Sequence, residues 1–375
     1  MSCSARLTAR GLAAIDTQSP TLADRCWRVA LSAAALGYAL GVGVRNWAFD
    51  AGVRGARRLP VPVLSVGNLT VGGTGKTPAT IAVAQRLRAE GLAVGVLLRG
   101  YRREGGAVQV AADPAGPPTP WQQVGDEAAL LAERLPGVAV VVGADRFLAG
   151  QEALRRFPLE VLVLDDGFQH RQLRRDLDLV MVDATDPLGG GRLLPRGRLR
   201  EPAGGLRRAS ALVLSRWDQA ADPDGIRRAL SLAAPGIPQI LTRHCPARLT
   251  SLERPGLQSP DLLRGRRVLA VSGIARPAAF HHTLTALGAI LAACLPFPDH
   301  HPYGRADLEA IARAAATARA DWIVTTEKDA VRLRQPACSS PAGRPVLVLG
   351  VDLEVMEGEE VLGGLLRAYG RGRRG

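Results

Sequence analysis

PVPVLSVGNLTVGGTGKTPA, residues 60–79, decides the fold. Pro62 to Val66 is a short apolar run, as expected of a strand buried on both faces of a parallel sheet. Gly72, Gly73 and Gly75 follow, then Lys76, Thr77 and an Ala-rich run from Ala79 to Glu90 closed by Gly91. This spacing predicts strand, loop and helix in that order. Glycines in such a loop let backbone N–H groups turn toward the β and γ phosphates of a nucleotide, and the following helix N-terminus adds positive potential. Lys76 supplies a mobile positive charge, and the Thr77 hydroxyl can hold Mg²⁺. The candidate ATP contacts are therefore Thr70, Val71, Gly72, Gly73, Thr74, Gly75, Lys76 and Thr77. The pattern GxxxxGK[ST] is missed only at its first position, where Thr70 stands in place of glycine.

A phosphate loop of this kind needs a carboxylate at the end of a neighbouring strand to hold the metal. VLVLDDGFQH, residues 161–170, offers one: Asp165 follows four apolar residues, and Asp166 beside it can bind a metal water or position a hydroxyl. Asp-Asp-Gly after a strand is also an ordinary turn. Beyond Pro60, short Val/Leu runs alternate with longer Ala/Leu/Arg segments, predicting strands at 62–66, 93–98, 138–142, 161–164, 177–182, 212–214, 268–271, 323–325 and 346–349. The fold class expected is α/β: a mostly parallel sheet of the P-loop NTPase kind with flanking helices, plus a second, smaller α/β domain. A Gly/Pro/Arg-rich stretch between Ala184 and Leu206 suggests where they part. That gives an N-terminal segment at 1–59, a nucleotide-binding core at 60–205 and a closing domain at 206–375.

Val29 to Val44 is apolar for 16 residues, with Arg25 and Arg28 before it and Arg45, Arg54, Arg57 and Arg58 after. As a helix it spans roughly 24 Å, short of the roughly 30 Å hydrocarbon core of a bilayer. Positive charge on both flanks suits an interfacial helix lying against anionic headgroups, with a buried core helix as the alternative. A cleaved signal peptide is disfavoured because the apolar run begins late. The chain carries 48 Lys and Arg against 35 Asp and Glu, a net +13 that favours anionic partners without choosing among them. Its arginines are dispersed, and the basic tail from Arg371 to Arg374 reads equally as a solvated end, so nucleic acid is not the expected partner. Cys3, Cys26, Cys245, Cys294 and Cys338 are far apart and odd in number, which disfavours a disulfide framework or a zinc site and suits a reducing cytosol.

Read in order, these motifs resemble the tetraacyldisaccharide 4'-kinase family of the lipid A pathway. The resemblance rests on VGNLTVGGTGKTP, RGY at Arg99 to Tyr101, GDE at Gly125 to Glu127, DDGFQH at Asp165 to His170 and GRLLPRGRLRE at Gly191 to Glu201. It continues through SGIARP at Ser272 to Pro277, DHHPY at Asp299 to Tyr303 and TTEKDAVRL at Thr325 to Leu333. Departures from the family pattern are Leu98 for Ser, Arg102 for Gly and Ala128 for Pro. The resemblance implies transfer of the γ-phosphate of ATP, with Mg²⁺, to the 4'-hydroxyl of a tetraacylated glucosamine disaccharide 1-phosphate. It further implies a monomer on the anionic cytoplasmic surface of an inner membrane.

Site residues follow from the same match. Asp126 is implied as the base that accepts the hydroxyl proton, His300 as its partner from the second domain, and Lys76 and Asp166 as charges around the transferring phosphate, with Thr77 and Asp165 on the metal. From the residues alone, Asp126 reads first as a helix cap, which the resemblance reverses, and the alternative for His300 and His301 is decoration of a Pro-bounded loop. Arg99, Glu127 and His170 carry no assigned role. A GTPase or partitioning-type ATPase would share the loop and the acidic strand end. LVLSRWD at Leu212 to Asp218 resembles the guanine-reading NKxD motif weakly, with Ser215 and Arg216 at its leading positions.

Overall fold

The computed structural model describes residues 21–100, 106–253, 256–334 and 344–369. Cys3, Cys338, Tyr101, Arg102 and the tail from Arg371 to Arg374 lie outside the described residues. The apolar run at 29–44 sits inside a longer helix, α1 (Leu22–Asp50). A capping box opens it, with Thr21 and Asp24 satisfying each other's backbone N–H groups.

Strands and helices then alternate: β1 (Val63–Asn68), α2 (Lys76–Ala89), β2 (Val94–Leu98), β3 (Gln109–Ala112), α3 (Trp121–Val124), α4 (Asp126–Arg134), β4 (Ala139–Val142), α5 (Arg146–Arg156), β5 (Val161–Asp165), β6 (Leu177–Asp183) and β7 (Ala211–Ser215). The remainder comprises α6 (Pro223–Ala233), β8 (Gln239–Ser251), β9 (Leu257–Gln258), β10 (Arg267–Ser272), α7 (Pro277–Ala286), β11 (Ile290–Pro296), α8 (Arg305–Thr317), β12 (Trp322–Thr326), α9 (Glu327–Leu333), β13 (Val346–Glu357) and α10 (Glu359–Arg367).

Among the described residues the strands join one sheet in the order β11-β10-β12-β13-β8-β7-β6-β1-β5-β2-β4-β3, with β9 against β8. Its ladders are parallel except β3 with β4, β8 with β13 and β8 with β9. Every strand expected from a Val/Leu run is present. Those the pattern did not reveal, β3, β8, β9 and β11, are an edge strand at each end and a long strand with its short partner, and none is buried along its whole length. A strand with one wet face alternates instead of running apolar. Between residues 205 and 206 the sheet continues, because β7 pairs with β6 from Leu179–Ala211 to Asp183–Ser215. Its change of character comes along β8, which leaves β7 after Leu241 and runs antiparallel to β13 from Leu241–Glu357 to Ser251–Leu347.

Helices cover both faces. On one, α2 and α4 press Ile81, Ala84, Leu87, Ala128 and Leu131 against Leu64, Val66, Val96 and Val163. On the other, Leu59, Ala149 and Ala153 meet Leu97, Leu162 and Leu164. A fully buried Leu such as Leu64 or Leu162 contributes about 1.5–3 kcal/mol relative to exposure. This packing fixes the C-terminal ends of β1 and β5, where Val66 faces Asp165 across the ladder. Ligands of open α/β sheets bind at such strand ends.

Candidate active site

The loop after β1 is braced from beneath. Asn68 donates to the Thr70 carbonyl at 2.6 Å and to the Thr74 hydroxyl at 2.9 Å, and the Ser215 hydroxyl donates to the Thr74 carbonyl at 2.9 Å. Arg216, in the left-handed region at φ 55°, donates through Nη2 to the Gly73 carbonyl at 2.8 Å and pairs with buried Asp183. Gly75 caps α2 at φ 84°, and a Cβ there would lie 2.7 Å from Nε2 of His244, so only glycine fits. Burial, and then the Arg216 charge, lower the His244 pKa to about 4, which keeps it neutral against the loop. Residues 70–77 therefore form a pre-set cradle with Lys76 at the start of α2.

Lys76 Nζ lies 3.7 Å from Asp166, whose carboxylate also takes Arg200 at 2.8 Å. Burial works against ionisation of Asp166, but Lys76 and Arg200 outweigh it and hold the carboxyl below its usual range. Asp165 behaves oppositely. It is buried, its Oδ1 accepts from Thr80 at 2.9 Å, and burial together with the Glu127 charge raises its pKa to about 6. That rise is the electrostatic gap a divalent cation would fill, and oxygen donors at Thr77, Asp165 and Glu127 suit Mg²⁺. Among the described residues no three His, Cys, Asp or Glu side chains form a closed metal cage.

Asp126 is the first residue of α4, after Gly125 at φ 91°. Its Oδ1 accepts from the Glu127 N–H at 3.0 Å, one residue on; the cap position is taken by Gly125, and no side chain caps the helix. Its Oδ2 has a different environment. His300 Nδ1 donates to it at 2.8 Å, and Arg332 Nη1 stands 3.3 Å away with its side chain 2% exposed. Burial raises the Asp126 pKa, but the His300 hydrogen bond and the charges of His300, Arg332 and Lys328 outweigh it and leave the carboxyl below its usual range. His300 moves up, chiefly through that same hydrogen bond. His301 turns elsewhere, to Asp307 at 3.0 Å.

Sequence reasoning missed what holds Asp126. Lys328 and Arg332 lie four residues apart on α9, so they share one helix face; Lys328 reaches Glu127 at 2.8 Å while Arg332 reaches Asp126. Arg134 at the far end of α4 takes Glu327 at 2.6 Å and Asp352. The signal lies in TTEKDAVRL, whose Lys328 and Arg332 are four positions apart. Glu127 also senses Lys76, so the N-terminal turn of α4 stands beside the cradle. His170 is depressed to about 4, first by burial and then by Arg146. Arg99 closes β2's C-terminal end and is exposed.

The helix α1 joins this site with its polar side. Tyr38 donates to the Arg200 carbonyl, Asn46 to Glu201 and Arg45 to the Gln169 carbonyl, while Asp50 pairs with Arg171. Opposite them Val29, Leu36, Leu40, Val44 and Trp47, spaced by three, four or seven, are 62–72% exposed. The apolar stripe points away from the protein, which disposes of the core-helix alternative. At 27 residues, Asp24–Asp50 is long and apolar enough to cross a bilayer by length and composition, so the shortness argued from 29–44 does not apply to the helix as formed.

Three comparisons bear on this arrangement. The profile of the family described as Tetraacyldisaccharide-1-P 4'-kinase matches residues 27–369. The tetraacyldisaccharide 4'-kinase of Anaeromyxobacter dehalogenans (strain 2CP-C) is 48% identical over 321 residues, 85% of this chain and 84% of that protein. That of Syntrophus aciditrophicus is 39% identical over 327 residues, 85% of this chain and 87% of its own length. Among solved structures, an LpxK from Aquifex aeolicus crystallised with ATP superposes with a TM-score of 0.73 at 31% identity, covering 91% of this chain and 99% of that one.

Proposed function

The chain belongs to the tetraacyldisaccharide-1-P 4'-kinase family, and on that premise we propose how its residues divide the work of an ATP-dependent lipid A 4'-kinase. The reaction moves the γ-phosphate of ATP to the 4'-hydroxyl of a tetraacylated glucosamine disaccharide 1-phosphate and releases ADP. The GTPase alternative loses its sequence support, since Ser215 and Arg216 brace the loop backbone.

Phosphoryl transfer proceeds through a loose transition state, so the protein must align the acceptor and neutralise charge. Loop amides at Thr70 to Thr77 and the Lys76 ammonium receive the β and γ phosphates. Thr77 and Asp165 would hold Mg²⁺, which when bound draws charge from the bridging oxygens. Asp166, pinned between Lys76 and Arg200, keeps Lys76 from swinging away before nucleotide arrives. Asp126 accepts the 4'-hydroxyl proton as the oxygen attacks phosphorus. His300 fixes the carboxylate's rotamer and stays protonated beside it.

The observation that carries this reading is the 2.8 Å contact between Asp126 and His300, which come from opposite halves of the sheet. A division near residue 205 would separate β7 from its partner β6; we take the second α/β unit to begin along β8 instead. The two units are then joined through α4 and α9, and closure brings His300 to Asp126.

We assign the outward stripe of α1 to the anionic, cytoplasmic surface of the membrane; the contacts from Tyr38 to Asp50, which hold its opposite side to the protein, support an interfacial placement. The substrate's acyl chains stay in the bilayer, and a monomer is sufficient for the chemistry.

The test is direct. Incubated with Mg-ATP and the lipid A disaccharide 1-phosphate precursor, the protein is expected to yield a product heavier by one phosphate. Asp126→Asn should form it about a hundredfold more slowly while binding ATP within a few-fold of wild type. Full activity in that variant removes Asp126 as the base.

A further inference from the structure

Outside the site lies a pocket of about 560 Å³ between the first turns of α1, the glycine-rich loop after β6 and the turn before α7. Arg28, Arg192, Arg196, Arg198 and Arg276 line it, against a single carboxylate, Asp186. Asp186 is already engaged: it takes Arg198 at 2.9 Å and the Gly190 N–H at 3.2 Å, with Arg276 3.8 Å away. Arg276 is drawn mainly to Asp183 and the Thr185 hydroxyl. Arg196 and Arg192 have no such partner among the described residues, and Nε of Arg196 is sealed from solvent without an acceptor. Burial, then the charges of Arg192 and Arg28, push the Arg196 guanidinium down. Gathering like charges costs free energy unless an anion joins them.

The wall supplied by α1 identifies the anion's source. Arg28 immediately precedes Val29, the first residue of the outward apolar stripe, so the pocket opens where that stripe would meet the bilayer. We propose that this arginine pocket binds the phosphate of a lipid headgroup. Guanidinium forks match phosphate oxygens in pairs, which is the geometry several arginines around one cavity provide. The proposal rests on the reading of α1 as an interfacial helix. Two lipids carry the required group: the substrate, through its 1-phosphate, and the anionic phospholipids of the surrounding membrane.

The experiment uses the full chain and the double variant Arg192→Ser/Arg196→Ser, with Arg155→Ser/Arg156→Ser on α5 as a control that removes equal charge elsewhere. Flotation with phosphatidylcholine vesicles, with and without phosphatidylglycerol, is run beside kinetics on disaccharide 1-phosphate in neutral detergent micelles. If the pocket takes membrane phospholipid, the double variant loses about 10- to 30-fold in affinity for phosphatidylglycerol vesicles and keeps its KM in micelles. If it takes the substrate's 1-phosphate, KM in micelles rises by a similar factor at unchanged kcat. Unchanged binding and KM in the double variant, or equal losses in the α5 control, overturn the pocket. Failure of the α1 reading is separately visible: Leu36→Ser/Leu40→Ser would then leave binding to neutral phosphatidylcholine vesicles intact.

Discussion

The phosphate cradle and the Asp126 cluster both set a charge beside a reacting oxygen, but they are assembled at different ranges. The cradle takes its groups from residues 68–80, one neighbouring strand end, Ser215 at the end of β7 and Arg216 just beyond it. Asp126 depends on His300, 174 positions away in the chain, and on Arg332 from a helix beyond it. A charge fixed by its own loop survives movement of the rest of the molecule. One fixed across the two proposed units exists only while they are together, so on the proposed mechanism proton acceptance is tied to closure whereas nucleotide binding is not.

Substitutions can break that distinction. Lys76→Ala is expected to cost the most, lowering kcat/KM by about a thousandfold and weakening ATP binding, because one group serves ground state and transition state alike. Asp126→Ala should lower kcat by about a hundredfold while ATP affinity moves only a few-fold. Equal loss of ATP affinity in both variants, measured by calorimetry alongside kinetics, would erase the difference between the regions.

His300→Gln sharpens the comparison, with an expected loss in kcat of roughly tenfold to a hundredfold and a displaced pH profile. In the wild type the Asp126 value is depressed and the His300 value raised, so their ion pair is complete between about pH 4 and 6.5. It weakens as acid protonates Asp126 and as alkali discharges His300. Without His300, Asp126 loses its hydrogen bond and one of the charges that offset burial, and the acid limb of kcat/KM should move to higher pH. A merely structural role for His300 would leave that limb in place.

Arg332→Met should act through position, reducing kcat about tenfold, and destabilise the fold by about 3–5 kcal/mol by stranding Asp126 and Asp329. Thermal unfolding and kinetics together check this. His301→Gln marks the small end of the scale, with activity within twofold, since its partner Asp307 lies on the surface of α8. A large loss there would transfer the partner role from His300 to its neighbour.

The two regions also differ in how far they could be read beforehand. Gly72, Gly73, Gly75, Lys76 and Thr77 are adjacent in the chain, and the backbone geometry they require is written in residue type. Asp126 after a glycine and before a helix fits a cap in sequence, but Gly125 takes that position and the Asp126 side chain makes no capping bond. What sets it apart is Oδ2, whose partners no local pattern reveals. Resemblance supplied His300; nothing supplied Arg332 or Lys328, because an Arg on an amphipathic helix usually points to water and this one is buried. The sheet shows the same division. Strands buried on both faces were legible as Val/Leu runs, whereas β8 hides its role in QILTRHCPARLTS, where polar side chains alternate along the antiparallel edge between the units.

The outward stripe of α1 has a kinetic consequence. On the proposed interfacial placement, the enzyme meets a surface-bound acceptor by lateral diffusion, so its turnover would be governed by the mole fraction of that acceptor in the film and not by its amount per volume of solution. Diluting the bilayer with inert lipid at constant substrate should therefore slow the reaction, while the dependence on ATP, which arrives from water, stays unchanged.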